Sequence, residues 1–213
     1  MIENGTLPVR RLGRTGVEVT AFGLGGEGVL RTWNHHAEAT ALIRRALELG
    51  VTYFDCAHAY AGSEDYHGAV WGADPAARER VFLCSKSAGR TRVEAQKDLE
   101  LTLRRLRVDR LDLWQIHDVR TRRDIEEIER TGGALEAFVE ARDAGLVGTV
   151  GVTGHHDPRI LRHAVENWPV DAVLMPVNPV EAVIGGFLDG VLPAAGDRGL
   201  AIIGMKVLGA SHY

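Results

Sequence analysis

RVFLCSKSAGRTRVEAQKDLELTLRRLRVDRLDLWQIH, residues 80–117, decides the fold. Its first run, RVFLCSK (80–86), is strand-like and closes on a lysine. A helical stretch from about Arg92 to Leu106 follows, and a second strand-like run, RLDLWQIH (110–117), closes on a histidine. Strand, helix and strand in this order argue for parallel strands joined by a helical crossover.

The unit repeats in both directions. Upstream, VTYFDCA (51–57) precedes a helical piece from Ser63 to Trp71. Before it, AFGLGG (21–26) reads as a buried strand. His36 to Leu49 reads as a helix, with apolar residues at Ala39, Leu42, Ile43, Ala46 and Leu47 and Gly50 as its cap. Downstream, the strands TVGVTG (149–154), DAVLMPVN (171–178) and LAIIGMKVLG (200–209) alternate with helices over 134–145, 158–167 and, broken by glycines, around 186–195. VRRLG and VEVTA flank Arg14-Thr15-Gly16 as a short N-terminal β-hairpin.

The result is seven alternating strands in a single domain over 1–213, with no linker. An open doubly wound sheet and a closed barrel compete for this pattern. Asp55, Lys86, His117, Thr153, Asn178 and Lys206 stand at the C-terminal ends of successive strands, which a barrel gathers at one mouth and an open sheet spreads along a line. AFGLGGEGV lacks the downstream acidic partner of a glycine-rich dinucleotide fingerprint. The expected class is therefore an α/β, TIM-type (β/α)8 barrel.

Bulk properties narrow the role. A net charge of −4 and a pI of about 6.1 give no field for nucleic acid or an acidic membrane surface. The N-terminus lacks the apolar core of a signal peptide, and no apolar run spans a bilayer. Two cysteines, Cys56 and Cys84, make no disulfide framework, so a cytoplasmic protein is expected. On a pleated strand Cys84 shares the barrel-interior face with Lys86, whereas Cys56 follows Asp55 and faces the helices.

Four residues carry chemistry by position: Asp55, Tyr60 five residues later, Lys86 and His117. A phenol near pKa 10 is a poor acid at neutral pH, and a lysine cation within about 4–6 Å lowers that value. A buried lysine needs a counter-charge, which Asp55 supplies. His117 is placed to hydrogen-bond and orient a substrate carbonyl. Taken singly, Asp55 reads equally as a loop cap and Tyr60 as packing. No metal or nucleophile is in the set, so a cofactor must supply the reducing equivalent. His35-His36 and His155-His156-Asp157 invite a metal reading, but adjacent histidines are expected to point different ways and no metal site is assigned.

The segments DCAHAYAGSE (55–64), FLCSK (82–86), LDLWQIH (111–117) and AGLVGTVGVTG (144–154), with RLGRTG (11–16), resemble the aldo-keto reductase family from about residue 9 onward. The resemblance implies reduction of aldehydes or ketones, or the reverse oxidation of an alcohol or sugar, with NADPH or NADH and NADP favoured. It implies Tyr60 as proton donor, Lys86 and Asp55 tuning it, and His117 orienting the carbonyl. It places the cofactor against Gly25, Gly26, Thr153, Gly154, Met175, Met205, Lys206, Val207, Leu208 and Gly209. The family's usual Ser-Asn pair, glutamine and stacking aromatic read here Thr153-Gly154, Met175 and Met205. Trp33 falls where the family places pocket aromatics, and packing is its other reading.

The family's eighth strand and following helices, which hold the adenosine end, are missing from this sequence. The barrel is thus expected to be incomplete and the sequence a piece of a longer protein. The rival is a short protein whose second copy covers the open barrel edge, or a non-catalytic, regulatory barrel. The expected partner is a small carbonyl or alcohol.

Overall fold

The computed structural model describes residues 7–209. Its centre is a six-stranded parallel sheet of β3 (Tyr53–Asp55), β4 (Phe82–Ser87), β5 (Leu111–Ile116), β6 (Val147–Thr153), β7 (Ala172–Pro176) and β8 (Ala201–Met205). Spatial order equals chain order, β3-β4-β5-β6-β7-β8. A doubly wound sheet would reverse direction at a switch point. This sheet only advances, as a barrel does, and the architecture is an incomplete (β/α)8 barrel.

One expected strand is reduced to a single contact. AFGLGG makes only an isolated parallel bridge between Leu24 and Phe54. Leu24 donates to the Tyr53 carbonyl and accepts from the Asp55 amide, both at 2.9 Å. The glycines explain the loss of regular pairing. Gly23, Gly25 and Gly26 offer no side chain to pack, and glycine weakens a strand interior. A Cβ on Gly23 would lie 2.6 Å from the Tyr53 ring.

The pleat sorts side chains into two cores. Phe54, Leu83, Trp114, Ile116, Val152 and Met175 face the helices, and the interior takes Tyr53, Phe82, Cys84, Leu113 and Ala172. The expected split of Cys84 and Cys56 between these faces holds, and both are free, buried thiols. The hairpin β1 (Val9–Arg11) and β2 (Glu18–Thr20) sends Leu12 and Val19 into the interior core, and the Arg14 amide donates to the Gly199 carbonyl just before β8.

The outer layer is α1 (His36–Glu48), α2 (Ser63–Ala73), α3 (Pro75–Arg78), α4 (Arg92–Leu106), α5 (Arg122–Glu129), α6 (Ala134–Asp143), α7 (Pro158–Asn167), α8 (Pro179–Ile184) and α9 (Leu192–Asp197). α4 and α5 start on capping boxes, Thr91 with Glu94 and Thr121 with Asp124. α6 presses on the sheet through Phe138, stacked on Trp114 at 3.6 Å between centroids. α2 and α4 meet where Gly68 faces the Arg105 carbonyl. The expected helix around 186–195 is split into a π-helical turn, Phe187–Val191, and α9, after Gly186 at φ +107°.

Candidate active site

Register sets three of the four residues in a row, and Tyr60 follows in the loop after β3. Asp55 pairs with Cys84, and Lys86 pairs with Gln115. Each functional residue therefore stands two positions beyond its neighbour: Asp55, then Lys86, then His117. One pleat is about 6.6 Å of strand. Strand tilt in a barrel levels such a staircase into a ring at the mouth.

Lys86 is fully buried, and its Nζ donates to Asp55 Oδ2 at 2.5 Å and to the Cys56 carbonyl at 2.8 Å. Burial works against its charge, but Asp55 and Tyr60 outweigh that, and its pKa stands above the ordinary lysine value. Asp55 is further held by Gln115, whose amide nitrogen lies 3.5 Å from Oδ1.

Tyr60 lies across this pair. Lys86 Nζ is 4.8 Å from its ring centroid, and the His117 ring meets it edge-on at 5.4 Å. The Arg31 guanidinium sits 4.9 Å from the same centroid, paired to Glu27 at 2.8 Å. Gly26 makes room for the ring, since a Cβ there would lie 2.6 Å from Tyr60 Cδ2. The sequence expectation for the phenol is corrected here. Burial pushes the Tyr60 pKa up, and the pull of Lys86 only partly offsets it. The phenol therefore holds its proton at neutral pH. His117 is held neutral: burial first, then Lys86, lower its pKa to about 3.

These groups open into a cleft of about 510 Å³ at the mouth. Gly25, Gly26, Asp55, Tyr60, His117, Thr153, Met205 and Lys206 line it. The Thr153 hydroxyl accepts from the Asp118 amide at 2.8 Å, which leaves its own hydrogen to donate. Five expected cofactor residues stand elsewhere. Met175 is on the opposite pleat and buried under the helices. Gly154 backs onto the Val119 carbonyl. Val207, Leu208 and Gly209 turn away past the end of β8, the first two exposed. Trp33 is 60% exposed and borders a separate cavity with Tyr66 and Arg104, so it is no wall of this cleft.

Reading the sequence missed Gln115, Arg31 and the two histidines' true orientation. Gln115 had a signal, being two positions before His117 on the same face. Arg31 had none, because its placement depends on a 3-10 turn over Gly28–Arg31. His155 and His156 do not diverge: both Nε2 atoms face Asp118 Oδ1, at 3.2 and 3.6 Å.

The family model for the aldo/keto reductase family matches residues 21–213, and the chain belongs to that family. It is 26% identical over 217 residues to an aldo-keto reductase of Schizosaccharomyces pombe whose name carries NADP(+), across 96% of this chain and 62% of that one. It is 31% identical over 154 residues to the aldo-keto reductase YhdN of Bacillus subtilis, across 65% of this chain and 44% of that one. A crystal structure of a Pseudomonas aeruginosa protein described as an aldo-keto reductase superposes with a TM-score of 0.77 at 24% identity, over 94% of this chain and 79% of the other. The chain thus spans about half to two thirds of the length of these two curated relatives.

Proposed function

We propose that this chain acts as an NAD(P)H-dependent oxidoreductase that reduces an aldehyde or ketone to an alcohol, or runs the reverse oxidation of an alcohol or sugar. The observation that carries this reading is the buried Lys86–Asp55 pair set against Tyr60 beside a neutral His117. His117 donates a hydrogen bond to the carbonyl oxygen and fixes its position. Tyr60 gives its proton to the same oxygen as negative charge develops there. Lys86 keeps the phenolate left behind from being costly, and Asp55 keeps Lys86 charged.

When bound, a nicotinamide cofactor would supply the hydride that the carbonyl needs. The cleft fits its nicotinamide end. Thr153 offers a hydroxyl, Lys206 a cation, Met205 an apolar face, and Gly25 open space where a Cβ would meet nothing. NADPH is favoured over NADH by the family resemblance and by the NADP(+) in a relative's name. The same reading puts the chain in the cytoplasm, acting on a small carbonyl. The second reading is a non-catalytic barrel, favoured by Met175 facing the helices instead of the cleft.

Mixing the purified chain with NADPH or NADH and a panel of small aldehydes separates the two. Falling absorbance at 340 nm that depends on both aldehyde and nucleotide supports reduction. Quenching of tryptophan fluorescence by nucleotide, with no turnover on any aldehyde, supports the non-catalytic barrel.

A further inference from the structure

We propose that Asp118, His155 and His156 form a binding site for one divalent transition ion of the zinc type at the rim of the cleft. One ligand atom from each residue lies within 4.8 Å of the others. The two distances from Asp118 Oδ1, 3.2 Å to His155 Nε2 and 3.6 Å to His156 Nε2, bracket the ligand-to-ligand edge of a tetrahedral zinc site. That edge is about 3.4 Å for metal–ligand bonds near 2.1 Å. Two imidazoles and one carboxylate suit zinc, nickel or copper, whereas magnesium prefers all-oxygen sets.

A second observation points the same way. Asp118 Oδ1 is buried yet accepts no hydrogen bond, although Arg120 satisfies Oδ2 at 2.5 Å. Its near neighbours are the two imidazole nitrogens at 3.2 and 3.6 Å, neither of which makes a hydrogen bond to it, and an ion held between them would satisfy it.

One neighbour opposes binding. Lys206 Nζ lies 3.3 Å from His155 Nδ1. An ion on Nε2 needs the proton on Nδ1, so the exposed lysine must swing away. Lys206 is thus the residue that sets the affinity from outside the ligand set.

The test is titration of the purified chain with Zn²⁺ against a chromogenic chelator, with no nucleotide or carbonyl present. One ion per chain is expected, with no competition from Mg²⁺. Asp118→Asn and His155→Gln should each weaken binding about tenfold or more. Lys206→Met, which leaves every ligand in place, should tighten it. Absence of saturable binding overturns the proposal, as does an affinity unmoved by the two ligand substitutions in chains that circular dichroism shows to be folded. Should those variants not fold, a Lys206→Met affinity equal to or weaker than wild type overturns it.

Discussion

Lys86 meets no solvent, and its charge persists because Asp55 and the Cys56 carbonyl meet it on one side while the Tyr60 ring lies near it on another. Removing one member of a buried pair strands the other. Lys86→Met should therefore lower unfolding free energy by about 3–5 kcal/mol in urea titration, besides abolishing turnover. A second residue-scale effect belongs to histidines held neutral. Burial lowers the His67 pKa to about 4, and His67 Nδ1 lies 2.9 Å from the Ser63 carbonyl oxygen. The unfolded chain takes that proton near pH 6.5. The stability contributed is complete above about pH 6.5 and is lost as pH falls toward 4, by roughly 3 kcal/mol in all. Urea stability measured at pH 7 and pH 4.5 should show this loss, and His67→Gln should reduce it, leaving the part that belongs to His117. Of this scale the sequence conveyed the Lys86–Asp55 pairing but neither Gln115 beside Asp55 nor Arg31 over the Tyr60 ring. It did not convey the net direction for Tyr60, because burial depends on Gly26 and Arg31 closing over a ring from distant turns.

At the scale of elements, strand and helix placement was legible because each element is patterned on its own. α2, α4, α6 and α7 start where Ser63, Arg92, Ala134 and Pro158 were expected to start them. The exception, AFGLGG, was legible as apolar but not as unpaired, since pairing depends on a neighbour as well as on the run. α8 went unseen because six residues from Pro179 to Ile184 carry too little periodicity, and Asn178 caps it through the Val180 and Glu181 amides. Contacts between elements were not legible either. α2 approaches α4 so closely at Gly68 that a Cβ would stand 1.8 Å from the Arg105 carbonyl oxygen. Backbone on one side and a helix on the other leave no cheap adjustment. Gly68→Ala should destabilise the fold by about 1–3 kcal/mol, read as a lowered Tm, although alanine favours an isolated helix.

At the scale of the molecule, the sheet curls but has two ends. β3 is bordered by the single Leu24 bridge, and β8 pairs only with β7 among the described residues. Ile202 on β8 is 38% exposed, and Phe22 beside the opposite edge is 66% exposed. Unpaired parallel strands recruit other chains. Sedimentation of residues 1–213 should give a mass above the 23.2 kDa of one chain, and Ile202→Lys should move it toward that value. The barrel class was readable because Lys86 and His117 end their strands alike. Its incompleteness was readable from the strand count, which the structure lowers by one.

The proposed carbonyl reduction needs Tyr60 as its acid, and replacing only the Tyr60 hydroxyl tests that most directly. NADPH-driven reduction of an aldehyde should fall by about 100-fold or more in Tyr60→Phe, with nucleotide quenching of tryptophan fluorescence unchanged. Equal rates for wild type and variant would contradict the assignment.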